Sequence, residues 1–253
     1  KGRIMILPGD KTQASWFFYH KGLFEDNGLD NPEQLYERGE WTWDSFLEVS
    51  KALTQDTDGD GEIDTYGIGP GSFSRFVDSI IASTGVAAFS LEENGLLVSN
   101  HKSDPRIIEA LEFFGELVDA GVIGPGGGND NFAAFGEGKR GFYTNGLWMS
   151  SRSPNAELIE RGELGVLPPP RAPGVDSDYF SSLVYAHMIP TGAKNPQAGV
   201  AFAVIRRSRA LHSAGQLPTQ ELKDITDEAV GVHMASATAD FTNAAQRRFA
   251  DPT

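Results

Sequence analysis

Residues 43–68 read WDSFLEVSKALTQDTDGDGEIDTYGI, and this stretch decides the fold class. From Trp43 to Leu53, apolar residues fall at 43, 46, 47, 49 and 53, the spacing of an amphipathic helix. Tyr66-Gly67-Ile68 predicts a short strand. Between helix and strand lies Asp56-Thr57-Asp58-Gly59-Asp60-Gly61-Glu62-Ile63-Asp64, with carboxylates at alternate positions around a glycine turn. A helix passing to a strand through a polar loop is one unit of an α/β chain, and the flanking sequence continues the alternation.

The acidic loop has its own chemistry. An EF-hand-type loop takes side-chain oxygens from its first, third, fifth and ninth positions and a backbone carbonyl from its seventh. Here these are Asp56, Asp58, Asp60, Asp64 and Glu62, with Gly61 at the sharp turn. Gly67 stands at the twelfth position, where a bidentate Glu is expected. One reading is a weak structural Ca2+ site formed by Asp56, Asp58, Asp60, Glu62 and Asp64. The other is a solvated turn capped by its own Asp side chains.

Upstream, residues 4–7 predict a strand ended by Pro8-Gly9, followed by a polar loop over 10–15 and a second strand over the aromatic residues 16–19. Trp43 falls on the buried face of its helix, and Trp41 suits a hydrophobic staple at the helix entry. Downstream, residues 74–83 predict a helix with Phe76, Val77, Ile80 and Ile81 on one side. Asp104 as N-cap, Pro105 at the first position and Gly121 at the end frame another, its expected stripe Ile107, Ile108, Leu111, Phe114, Leu117 and Val118. Residues 124–128 read as a flexible glycine connector without dinucleotide or Walker spacing. Strands are expected at 140–143, at Leu164–Leu167 and at 184–189, with Asn145-Gly146 turning the chain before Trp148. Asn195-Pro196 starts a helix, and residues 219–249 have helical propensity.

The chain has 253 residues, 21 basic and 35 acidic, for a formal net charge of −14. That field repels phosphate backbones and anionic lipid, which argues against nucleic-acid and membrane-surface binding and suits a neutral or cationic small ligand. The absence of cysteine excludes disulfides, thiolate metal sites and cysteine nucleophiles. No run approaches the ~20 apolar residues that span a bilayer. The five histidines are scattered without zinc spacing.

Several segments together resemble the extracellular solute-binding proteins of sugar-type ABC transporters, the family containing the maltose-binding protein. They are residues 2–8, Phe17-Phe18-Tyr19-His20-Lys21-Gly22-Leu23-Phe24, Asn27-Gly28-Leu29 and Trp43-Asp44-Ser45-Phe46. Lys51-Ala52-Leu53-Thr54 then leads through the acidic loop to Tyr66-Gly67-Ile68. Further on come Phe135-Gly136-Glu137-Gly138-Lys139, Asn145-Gly146-Leu147-Trp148, residues 165–169 and Gly192-Ala193-Lys194-Asn195-Pro196. The order of the pieces, more than any one of them, carries the resemblance. His20 departs from the usual Asn. The match begins about a third of the way into such proteins and fades after Phe202, so an N-terminally incomplete chain is expected.

The resemblance implies an α/β, type II periplasmic-binding-protein-like fold, mainly the second lobe plus part of the first. Residues 1–12 would be a first-lobe remnant and hinge, and 13–182 the second lobe. Residues 183–253 would hold a crossover strand, a first-lobe helix and a helical tail. It also implies an extracytoplasmic, monomeric, non-catalytic receptor that closes its lobes on a carbohydrate and presents it to ABC permease subunits. The location would be the periplasm or the cell surface as a lipoprotein, with no targeting segment in this chain.

Sugar binding needs flat apolar surfaces and a few orienting polar groups. Trp148 is the strongest candidate, because the family has a ligand-stacking aromatic there. Tyr179 and Phe180 follow the polar segment 173–178, where two adjacent aromatics are not both expected in a core. Gln13 and Ser15, in the loop before Trp16, suit hydroxyl contacts. Phe73, Ser74 and Arg75 sit where a loop enters a helix, and Arg75 suits bidentate orientation of a ligand oxygen. Each has a bland counterpart in core packing, loop solvation or a surface ion pair. Two other classes stand beside the receptor. A glycosidase needs two carboxylates facing each other across a cleft, whereas Asp176 and Asp178 share one loop. A calcium-dependent interaction module is the third, weakened by the single copy of the acidic motif.

Overall fold

In the computed structural model, Ile6–His20 forms one long strand, β1, followed by three helices, α1 (Lys21–Asp26), α2 (Pro32–Glu37) and α3 (Trp43–Ala52). Next come β2 (Tyr66–Pro70), α4 (Phe73–Ser83), a hairpin of β3 (Phe89–Leu91) and β4 (Leu97–Ser99), α5 (Pro105–Asp119) and α6 (Gly128–Gly136). β5 (Arg140–Gly146) runs into a 3-10 turn over Leu147–Ser151, then α7 (Asn155–Glu160), β6 (Leu164–Leu167), β7 (Ser182–Met188), α8 (Pro196–Ser213) and α9 (Thr219–Ser236). The structure describes residues 6–94, 96–189, 196–213 and 215–236, and their side chains except at 6–13, 183–188, 210 and 229–236. The expectations for residues 4–5, for Asn195 and for 237–249 lie outside it.

The chain divides into two compact units, Lys1–Thr12 with Leu183–Thr253, and Gln13–Ser182. In the first, α8 and α9 pack on each other. The second is built on strands in the order β2-β5-β1-β6, while β7 also pairs with β1. β5 runs parallel to β2 and antiparallel to β1, and β6 is antiparallel to β1. Because side chains alternate along a strand, β1 serves two cores. Phe17 and Tyr19 enter the larger one with Trp41, Trp43, Phe46, Phe76 and Phe142. Phe18 enters the smaller one with Phe135, Tyr143, Met149 and Leu158.

α3 shows why residues 43–53 read so clearly. Thr42 and Ser45 close a capping box, Ser45 N–H donating to Thr42 Oγ1 and Thr42 N–H to Ser45 Oγ. Trp41, before the cap, meets Phe46 edge-on at 5.7 Å, which is the staple contact. It is also fully buried, its indole N–H donating to Pro168 O at 3.0 Å. Trp43 is core as expected, stacked on Phe113 at 4.6 Å.

Four expectations change. β1 is continuous where a strand, a loop and a second strand were expected, so Gln13 and Ser15 are strand residues. Pro8 does not end it, since a strand proline forfeits only the bond of its own missing N–H. Asn145-Gly146 is no turn: both residues stay in register, opposite Trp16 and Ser15, and Gly146 is extended at φ −70°. A two-residue Asn-Gly turn needs φ > 0 at both positions. The glycine connector is close-packed, because a Cβ on Gly124 would fall 2.3 Å from Arg140 Nε and one on Gly128 2.1 Å from Gly71 O. Gly128 is also the first residue of α6, a helix its glycines conceal.

The fourth concerns α5, which buries Ile107, Ala110, Phe113 and Leu117 but leaves Ile108, Leu111 and Val118 exposed. That helix is apolar around much of its circumference. The place of Trp43, not periodicity alone, selects the buried stripe. The short helices α1, α2 and α7 and the hairpin carry too few periods to be legible.

Candidate functional site

The sheet has two ends, and most of the expected binding residues gather at one of them. There the carboxyl ends of β2 and β5 lie beside Ser15 of β1, which pairs with Gly146. Such an edge is where open α/β sheets take ligands. Beyond Gly146 the 3-10 turn lifts Trp148 clear of the core, leaving it 42% exposed, with the Arg152 guanidinium 4.9 Å over its ring. Beyond Pro70, the backbone N–H of Gly71 donates to Thr144 O, and α4 starts two residues later.

The start of α4 is open. Ser72 is extended and makes no side-chain cap, and Phe73 is 49% exposed. Ser74 is exposed, its hydroxyl 3.2 Å from that of Ser72. Arg75 is half-buried and donates from Nη1 to Asn145 Oδ1 at a long 3.4 Å. No carboxylate among the described residues pairs with it. Asn145 is buried and held in turn, its Nδ2 donating to Tyr143 Oη and its Oδ1 accepting from Gly146 N–H. Burial raises the Tyr143 phenol above its ordinary pKa, so it stays neutral in this chain of contacts.

The remaining candidates lie on the segment before β7. Ser181 O accepts from Ser15 N–H at 3.1 Å, and the Ser181 and Ser79 hydroxyls are 3.1 Å apart. Phe180 packs on Trp16 with ring centroids 4.7 Å apart. Ser15 itself is buried in the ladder, and the Gln13 side chain lies outside those described. Tyr179 stands apart. It is 45% exposed and covers Gly85, past the far end of α4. The 11 residues of α4 separate it from Phe73 by about 16 Å, at roughly 1.5 Å per residue. Trp16 and Asn145, which pair with each other, also lie at this edge. A strand aromatic and an Asn in an apparent turn gave no signal until the register placed both at this edge.

Asp178 and Asp176 do not face each other as glycosidase carboxylates. Asp178 accepts from Tyr36 Oη on Oδ2 at 2.5 Å and from Arg171 Nε on Oδ1 at 2.8 Å. Burial opposes its charge, but the bonds from Arg171 and Tyr36 prevail and hold its carboxyl below the usual range. Asp176 is exposed and accepts only from the neighbouring Ser177 hydroxyl among the described residues.

In the acidic loop, carboxylate oxygens of Asp56, Asp58 and Asp64 converge to within 4.8 Å of one another. Asp60 and Glu62 stand outside that group, Asp60 Oδ1 accepting from Glu62 N–H. The loop is tied by its own backbone. Asp56 accepts from Gly59 and Gly61 N–H, and Asp64 Oδ2 accepts from Thr57 N–H and Oγ1. The Thr57 hydroxyl, then its N–H, hold the Asp64 carboxyl below the ordinary carboxylate pKa.

The loop borders a concavity of about 720 Å³ lined by residues such as Asp64, Tyr66, Asp130 and Arg140. It lies at the starts of β2 and β5, away from the exposed aromatics. The aromatic edge is the better site candidate. At the concavity, Arg140 spends its donors on Asn131 Oδ1, Lys139 O and Pro125 O.

Residues 4–205 match the family model described as bacterial extracellular solute-binding protein. No curated protein matches the chain in sequence. Among solved structures, it is similar to an ABC-transporter-associated binding protein from B. animalis subsp. lactis in complex with β-1,6-galactobiose. That match has 22% identity and a TM-score of 0.58, over 83% of this chain and 48% of that one. A sugar transporter protein from Arthrobacter chlorophenolicus with bound laminaribiose matches at 22% identity and TM-score 0.57, over 87% and 53%. The maltose/maltodextrin-binding domain MalE of Bdellovibrio bacteriovorus, bound to maltotriose, matches at 19% and 0.54, over 88% and 57%. The chain thus spans about half the length of the structures it matches.

Proposed function

Since the chain belongs to the bacterial extracellular solute-binding protein family, we propose that it is a non-catalytic carbohydrate receptor of an ABC importer, acting outside the cytoplasm. Its fold is the α/β, type II periplasmic-binding-protein fold. The observation that carries the reading is the open edge formed by Trp148, Phe73 and Arg75, with Trp16 and Phe180 in tilted ring contact beside Ser15. Aromatic faces suit sugar rings, and a guanidinium without a carboxylate partner suits ring hydroxyls. Bound carbohydrates in structures of similar fold support the same class.

The family to which the chain belongs supports ABC permease subunits as its membrane partners; no described helix is long and apolar enough to cross a membrane. Capture proceeds by lobe closure, with hinges near residues 8–15 and 181–186. In support, the chain passes between its two compact units at Thr12–Gln13 and Ser182–Leu183, within those segments. The receptor works as a monomer. The convergence of Asp56, Asp58 and Asp64 offers a hard cation three oxygens. Ca2+ there would brace the loop between α3 and β2 without touching the sugar.

The test is intrinsic tryptophan fluorescence of the full-length protein titrated with a panel of mono- and oligosaccharides. One or more sugars should change the emission, and Trp148→Ala should abolish the response while leaving the melting temperature nearly unchanged. A protein that ignores every sugar yet binds a peptide or metal tightly would sink the assignment.

A further inference from the structure

Residues 172–181 form a strap with no helix or strand of its own, and the strap carries Phe180 to the site. Its root is firm. Arg171 N–H donates to Trp41 O, and Arg171 O accepts from Trp43 N–H, so the backbone there is stitched to the entry of α3. Arg106 Nη2 donates to Pro173 O at 3.1 Å, and at the far end Ser181 O accepts from Ser15 N–H. Between these points, each ordered residue costs about 1–2 kcal/mol of backbone entropy.

Asp178 lies in that interval. One carboxylate oxygen takes the Tyr36 hydroxyl of α2 and the other takes Nε of Arg171. The Arg171 guanidinium also lies 5.3 Å over the Tyr36 ring, closing a three-member clasp. Asp178 and Arg171 are both largely shielded, with side-chain exposures of 23% and 20%. The clasp is therefore screened less than a surface ion pair. It joins α2, the strap's root and a point two residues before Phe180. Bracketed by the clasp two residues before it and by the Ser15 N–H to Ser181 O bond one residue after it, Phe180 has little range beyond its place on Trp16.

We propose that Asp178, clasped between Tyr36 and Arg171, is the positioning residue that seats Phe180 on Trp16 before ligand arrives. The geometry stands by itself, while the consequence for affinity rests on the carbohydrate-receptor reading. A strap held in its binding conformation spares the ordering cost that a loose one pays on association.

The experiment compares full-length wild type with Asp178→Asn, Asp178→Ala and Tyr36→Phe. Amide hydrogen exchange over residues 177–182 reads the strap, and the melting temperature reads the fold. Calorimetric titration with laminaribiose, maltotriose and β-1,6-galactobiose reads the site. The variants should exchange strap amides about tenfold faster and bind any of these sugars that wild type binds about tenfold more weakly, with a melting temperature lower by only about a few degrees. A purely structural role would lower the melting temperature and speed exchange throughout the core as well as in the strap, and would overturn the proposal. If wild type binds none of the three sugars, the carbohydrate reading loses its support, while hydrogen exchange still decides whether Asp178 holds the strap. Strap exchange equal to wild type in all three variants would overturn the proposal. So would a loosened strap with unchanged affinity.

Discussion

Arg140 stands at the starts of β2 and β5, and Arg75 stands at their ends. Arg140 is buried, lies 4.9 Å over the Tyr66 ring and donates to Asn131 Oδ1 and two backbone carbonyls. Arg75 is half-buried and makes one long bond, to Asn145 Oδ1, among the described residues. The same two strands thus end in a satisfied cation on one side and an unsatisfied one on the other. A buried cation left short of partners is costly, so Arg140 reads as structure. A cation left open beside exposed aromatics reads as reception.

The comparison breaks most sharply by exchanging the roles. Arg140→Ala would strand Asn131 Oδ1, empty the space under Tyr66 and cost about 3 kcal/mol, roughly 10 °C in melting temperature. Sugar affinity, measured below the new transition, should be unchanged. The converse is expected of Trp148→Ala. If Arg140→Ala abolished binding at preserved stability, the assignment of the two ends would be wrong.

A smaller effect concerns His20, which caps α1 by accepting Leu23 N–H on Nδ1 at 3.3 Å. Burial lowers its pKa below the usual 6.5, Glu163 opposing and Arg161 reinforcing the shift. Over that interval the unfolded chain binds more protons than the folded one. The contribution of His20 is therefore fully present above about pH 6.5 and is lost as pH falls through the folded value. Melting temperature should decline from pH 7 to pH 5, and His20→Asn, which keeps a capping acceptor, should flatten that decline. Equal slopes in both proteins would remove His20 from the account.

The smallest effect is expected at the acidic loop. A site with dissociation constant in the 0.1–1 mM range gains only about 1 kcal/mol from millimolar calcium. Wild type should melt a few degrees higher with calcium, and Asp58→Ala should not. Identical curves with and without calcium would make the loop a solvated turn.

The core helices and the acidic loop were legible in the sequence because each is a local pattern, whereas Trp148 was marked by the family resemblance and its exposure is a fact of the structure. α3 carries its period, capping box and staple within a dozen residues. The Asp178 clasp was not legible, since Tyr36 lies 142 residues away and an isolated Asp in a polar segment resembles any other. Nor was the division of labour between Tyr179 and Phe180. They are adjacent in sequence, yet one covers Gly85 and the other packs on Trp16.

Charge was informative only in part. A net charge of −14 argues against anionic partners for the molecule as a whole, but says nothing of a local open cation such as Arg75. By itself the sequence determined the α/β alternation, the major helix boundaries and an ordered series of family segments. Periodicity, capping and turn chemistry act over a few residues and are written in the chain. Tertiary structure decided that β1 runs unbroken, that Asn145-Gly146 extends rather than turns, and which arginine is spent and which is open. Those outcomes depend on strand register and hydrogen-bond partners supplied by distant segments.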